Sequence, residues 1–157
     1  MTKRGWMYRV PALFIGLVLS QALSLSAQTQ DRIDKVANAG FAQTVKQLET
    51  AIKQRGMMIV ATIDHQNMLR MVGASIRGSK TIEFGKPDMM KSILPDNPEV
   101  GVEMPLKVYV YERADGKTVV SYRKPSAAFA SYGKEQLTMA GQMMDMMLEE
   151  IATEAAK

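Results

Sequence analysis

The sequence of 157 residues contains no cysteine and a single histidine, and it has no apolar run approaching the 20 residues that a spanning helix needs. Each absence removes a class of function. Without cysteine there are no disulfides, no Cys-rich zinc site, no thiolate nucleophile and no covalent c-type haem attachment. Any chemistry that needs an imidazole must use His65. The G-x-S-x-G turn of serine hydrolases is missing. Gly78-Ser79-Lys80 does not give the Gly-Lys-Ser/Thr order of a phosphate loop. Neither an internal repeat nor a low-complexity tract interrupts the chain.

What is present begins with a leader. Lys3, Arg4 and Arg9 precede the apolar run from Val10 to Leu19, and Ala22, Ser24, Ser26 and Ala27 follow as small residues. A positive segment, a short apolar core and small residues at the end are the parts of a secretory signal peptide, here residues 1–27. Its removal takes away three basic charges. The 20 Lys and Arg of the whole chain fall to 17, against 16 Asp and Glu. The mature protein is then nearly neutral, and the basic isoelectric point gives no support to nucleic-acid binding. The expected location is periplasmic or secreted, with no integral membrane segment after cleavage. With 46% apolar residues the remainder is long enough to build a core without disulfides.

The strongest local signal is Leu106 to Tyr122, LKVYVYERADGKTVVSY. Two runs rich in Val and Tyr flank Asp115-Gly116, which predicts a hairpin closed by a two-residue turn. That register places Tyr109 opposite Tyr122, Tyr111 opposite Val120 and Glu112 opposite Val119. One face would carry Tyr109, Tyr111, Val120 and Tyr122, and the other Leu106, Val108, Val110 and Val119. Because both faces are apolar, the tyrosine face is expected to be covered by a second layer, a ligand or another subunit.

Around this hairpin, residues 28–40 read as a flexible lead-in. Phe41, Val45, Leu48 and Ile52 share a helical face and predict a helix over 41–55. Met57 to Ile63 reads as a buried strand, and the polar cluster 64–67 opens a short helix that stops at Gly73. Ser79 to Phe84 reads as another strand. Pro87-Asp88 opens a helix reaching about Leu94, and Pro95, Pro98 and Gly101 make a loop. A short helix at about 126–131 precedes a long one at 135–155. The expected fold is α+β, a small and mainly antiparallel sheet with a central hairpin, covered by the helices at 41–55 and 135–155 in a single domain over 41–157.

Four stretches carry a wider likeness: Ile63-Asp64-His65, Phe84-Gly85-Lys86-Pro87, Glu103-Met104-Pro105-Leu106-Lys107 and Tyr122-Arg123-Lys124-Pro125. In order and spacing they resemble the family catalogued as domain of unknown function 302, over about Phe41 to Gly133. The resemblance implies a small α+β fold and small oligomers, often dimers, and it brings no established activity. This chain has Lys86 where Asn is usual, Glu103-Met104 where Asp-Leu is usual and Arg123-Lys124 where Asn-Asp is usual. If those positions line a common site, its charge has changed here.

Three readings of the chemistry follow. The first is a non-catalytic ligand-binding or accessory module acting as a homodimer, with its site among His65, Asp64, Glu103, Lys86, Arg123 and Lys124. The second is soft-metal binding. Twelve of the 14 methionines lie after residue 27, clustered at 57–58, 68, 71, 89–90 and 139–147, and thioethers suit Cu(I). Met143 and Met147, four apart on a helix, are the candidate ligands, with His65 as an additional one. Equally, methionine fills cores and makes adaptable self-association surfaces. The third is an enzyme using His65 as general base, oriented by Asp64 or Glu103. No cofactor is named by any motif.

Overall fold

The computed structural model describes residues 31–157, so the leader expected at residues 1–27 lies outside the described residues. Five strands and five helices follow in the order β1 Arg32–Val36, α1 Phe41–Gln54, β2 Met58–Asp64, α2 His65–Met71, β3 Ser79–Gly85, α3 Pro87–Ile93, β4 Leu106–Glu112, β5 Thr118–Arg123, α4 Pro125–Ala130 and α5 Glu135–Ala155. A 3₁₀ turn, Pro98–Glu103, leads into β4. The α+β expectation is met by one antiparallel sheet in the order β1-β5-β4-β3-β2.

One face of that sheet and the long helices make the core. On α1, Thr44, Val45, Leu48, Ala51 and Ile52 are buried, the three-and-four spacing of an amphipathic helix. On α5, Leu137, Met144, Leu148 and Ile151 do the same. They meet Ile82, Phe84, Leu106, Val108, Val110, Val120 and Tyr122 from the central strands. Burying one such Leu or Phe side chain contributes roughly 1.5–3 kcal/mol. The helices α4 and α5 are joined through Asp145, which accepts the Ser126 N–H at 3.0 Å and the Ser126 hydroxyl at 2.5 Å.

The hairpin is present, but its register differs from the expected one by a single residue. Tyr109 lies opposite Ser121, Val110 opposite Val120, Tyr111 opposite Val119 and Glu112 opposite Thr118. The cause is the turn. Only Gly116 has a positive φ, +81°, and Asp115 does not. The Gly116 N–H bonds to the Arg113 carbonyl and the Arg113 N–H to the Lys117 carbonyl. This is a three-residue connection, a turn followed by a left-handed glycine, rather than a two-residue one. A one-residue slip moves side chains to the opposite face. Tyr122 and Val120 therefore join the core face, and Val119 and Ser121 share the other face with Tyr109 and Tyr111.

Two more expectations change at the sheet edges. Residues 32–36 form β1 instead of a flexible lead-in, pairing with β5 from Arg32↔Arg123 to Val36↔Val119. Edge pairing satisfies main-chain groups whatever the side chains are, so a strand with one apolar core contact, Ile33, leaves little pattern to read. The expected buried strand, β2, is the opposite edge. Met58 and Val60 are each 59% exposed, and the register shifts between Ile59 and Ala61.

Candidate functional site

Antiparallel pairing sorts the expected site residues into two groups. Asp64 and His65 leave the end of β2, beside the start of β3. Lys86 leaves β3, Glu103 precedes β4, and Arg123-Lys124 leaves β5, all at the opposite end of the sheet. The six residues do not form one site.

In the first group, Asp64 caps α2. Its carboxylate accepts the Asn67 N–H at 2.9 Å and pairs with Lys80 Nζ at 3.2 Å. The Asn67 bond, with Lys80 behind it, holds Asp64 below the ordinary aspartate pKa. His65 turns away from it. Its Nε2 lies 2.9 Å from Thr81 Oγ1, and its ring meets Tyr109 edge-on, with centroids 5.9 Å apart. A crevice of about 380 Å³ opens beside α2, walled by Asp64, Gln66, Asn67, Arg70 and the 74–76 loop. Several polar groups in its wall are already paired: Gln66 donates to the Ile76 carbonyl at 3.0 Å, and Arg70 to Asn67 Oδ1 at 2.7 Å.

In the second group, Glu103 accepts the Tyr132 hydroxyl at 3.1 Å. Burial, and then Glu103, pushes the Tyr132 phenol above its ordinary pKa. Lys134 donates to Asn97 Oδ1 at 2.7 Å and Glu99 Oε1 at 2.8 Å beside it. These bonds tie the 3₁₀ turn to the segment between α4 and α5. Lys86 and Lys124 occupy the cap positions before α3 and α4, where their carbonyls accept helix N–H groups. Arg123 is exposed and stands opposite Arg32. None of these three basic side chains has a carboxylate partner among the described residues.

These contacts bear on the general-base reading. The general-base reading gives Asp64 or Glu103 the task of orienting the imidazole through its second nitrogen. Glu103 is bonded to Tyr132 at the far end of the sheet, and Asp64 is engaged by Asn67 and Lys80. The observed partners of His65 are a threonine hydroxyl and a tyrosine ring.

A different set of residues converges on the sheet face opposite the core. Tyr109 donates to or accepts from Ser79 Oγ at 2.7 Å and stacks on Tyr111, with centroids 5.1 Å apart and planes at 14°. Arg32 Nη2 donates to the Tyr111 hydroxyl at 3.3 Å. Arg32 Nε reaches Asp34 Oδ1 at 2.9 Å and Ser121 Oγ at 3.1 Å. From His65 through Tyr109 and Tyr111 to Arg32, side chains touch across β3, β4, β5 and β1. Sequence reading placed the two tyrosines on one face by their spacing of two. It missed Arg32, Ser79, Thr81 and Ser121, which arrive from strands far apart in the chain.

The methionine candidates are also redistributed. Met143 is 62% exposed, and Met147 packs on the rim of the core. Met144, between them, is buried and lines a small cavity that neither of them enters. His65 is not in its wall.

The domain of unknown function DUF302 matches residues 33–153. The chain belongs to the DUF302 family. An uncharacterised conserved DUF302 protein from Bacillus stearothermophilus superposes with a TM-score of 0.73 at 20% identity, covering 79% of this chain and 97% of that one. This likeness establishes the shared fold. Among curated proteins, 85 residues are 22% identical to fluoride-specific ion channel FluC 1 of Brucella suis, 54% of this chain and 34% of the channel. Fluoride-specific ion channel FluC 2 of Brucella melitensis matches at the same identity over 32% of its length. The chain thus spans about a third of the curated relatives it matches.

Proposed function

We propose that this DUF302 protein is an exported, non-catalytic binding module acting as a small homo-oligomer, with its ligand seat on the sheet face that carries His65, Tyr109, Tyr111 and Arg32. The observation that carries the reading is the unbroken line of contacts from His65 to Arg32. Two stacked phenol rings offer a surface for a flat apolar group, and the guanidinium and imidazole at its two ends offer hydrogen bonds to an anionic or polar one. A binding seat needs such convergent groups but no activated base. The ligand class is therefore a small aromatic or unsaturated anion.

Export is supported by the basic and apolar stretches of residues 1–27. The accessory role is supported by the likeness to about a third of the length of fluoride-specific channels, together with the absence, among the described residues, of any helix long and apolar enough to cross a membrane. Channel activity is not carried over.

Native mass spectrometry of the protein recovered from an exporting host tests the reading, with 8-anilinonaphthalene-1-sulfonate titrated as a model aromatic anion. The expected result is a chain that starts near residue 28 and binds one probe per chain, weakened at least tenfold by Tyr111→Ala and by Arg32→Ala. Equal affinity in both variants would remove the seat from this face.

A further inference from the structure

A second cavity lies on the other side of the sheet and is unrelated to the face just described. About 20 Å³ in volume and partly open to solvent, it is walled by Met57, Met89, Met90, Met104 and Met144, with Gly85, Lys86, Pro105 and Leu106 completing the lining. Met57 ends the link from α1 to β2, Met89 and Met90 belong to α3, Met104 precedes β4, and Met144 sits in α5. Five of the chain's methionines thus meet only in the folded protein. The Met90 sulfur lies 3.8 Å from the position a Cβ on Gly85 would take, so this thioether is turned toward the wall.

Size and chemistry restrict the occupant. The volume suits one water-sized species, but a water requires two to four polar partners, and the wall turns no polar surface toward the cavity. Thioether sulfurs are neutral, polarisable donors that favour soft ions such as Cu(I) over hard ones. The wall has no carboxylate to balance a second charge, so a divalent ion is disfavoured. We propose that this cavity binds a single soft monovalent cation, Cu(I), through three or four of the thioethers of Met57, Met89, Met90, Met104 and Met144. No ligand has to lose a proton, so affinity is flat with pH across the range in which histidine and cysteine sites change. Because the five groups meet only in the folded chain, the metal stabilises the fold.

The test is an anaerobic competition of Cu(I) against bicinchoninate, repeated with Ag(I), on the whole protein. The pocket variant is Met89→Leu with Met90→Leu and Met104→Leu, swaps that nearly conserve volume. The control variant is Met139→Leu with Met143→Leu and Met146→Leu, which removes exposed methionines outside the cavity. The expected result is one Cu(I) per chain, unchanged between pH 6 and 8, held as well by the control and at least tenfold more weakly by the pocket variant. Circular dichroism confirms that each variant is folded. A metal-dependent rise in melting temperature should appear in the native and control proteins only. Stoichiometry above one, equal loss in the control, or affinity no better than that of a methionine-poor protein would overturn the proposal. Neither outcome bears on the ligand seat at Tyr111 and Arg32, because the two sites share no residue.

Discussion

At the scale of single residues, Gly141 shows how two opposed effects are decided by magnitude. It lies inside α5, where alanine is favoured over glycine by about 1 kcal/mol. A Cβ there, however, would stand 2.7 Å from Ser126 Cα and 3.0 Å from Phe129 Cβ. Ser126 Cα is backbone, in the α4 residue that Asp145 holds in place one turn of α5 from Gly141, and it cannot swing aside as a flexible side chain would. Overpacking of this kind costs roughly 1–3 kcal/mol, so Gly141→Ala is expected to lower stability by about 1 kcal/mol despite its better helix propensity. Urea denaturation checks the sign, and an increase in stability would show that α4 and α5 can separate freely. Nothing in the local sequence announces this glycine, because the residue that forbids a side chain is 15 positions away.

At the scale of elements, β1, β5 and α5 are joined by one group of polar contacts. Glu149 on α5 accepts from Lys35 of β1 at 2.5 Å and from the Tyr122 hydroxyl of β5 at 2.6 Å. Lys35 first, and Tyr122 second, hold Glu149 below the ordinary glutamate pKa. A carboxylate lowered by folding contributes stability above its unfolded value of 4.5 and loses it as pH falls through the folded value. Burial, and then Glu149, raises the Tyr122 phenol, so its contribution is intact below 10.0 and is lost as pH rises through the folded value. Lys35 and Glu149 are partly exposed, which screens the pair. Glu149→Gln is therefore expected to flatten the acid limb of a stability profile by roughly 0.5–1 kcal/mol. An unchanged limb would show that other carboxylates govern acid unfolding.

The same elements show what the sequence could reveal. Helices α1 and α5 were legible from their spacing, α3 from Pro87-Asp88 and the hairpin from its Val and Tyr runs. Strand β1 was not, because main-chain pairing to β5 does not depend on an apolar pattern. The hairpin register was missed because Asp115-Gly116 suits two turn lengths, and the main chain chose the longer. Asp64 and His65 were legible as neighbours because they are adjacent in the chain. Their separation from Glu103 was not, since it depends on which ends of the strands coincide.

At the scale of the whole molecule, the helices α1 and α5 pack on one face of the sheet, and α5 keeps an apolar stripe on its outer side. Met139, Met143 and Met146 recur at spacings of four and three and are 53%, 62% and 63% exposed. Exposed methionines at helical spacing form an adaptable docking surface, which supports pairing of two chains through α5. Replacing all three with Lys is expected to leave the fold intact and halve the mass measured by light scattering. A native protein that is already a monomer at high concentration would end the oligomer part of the proposal. The placement of β1 has a further consequence for processing. Ala37 donates its N–H to the Thr118 carbonyl, and Asn38 to the Ala156 carbonyl at 2.9 Å, so this segment is fastened to both the sheet and the C-terminus. Trimming that stops before Arg32 leaves the sheet intact. A cut at about residue 40 would release β1 and uncover the row of main-chain donors and acceptors along β5, an open edge that can recruit a strand from another chain. Strand β1 therefore acts as a guard strand, and any cut on its C-terminal side opens that edge.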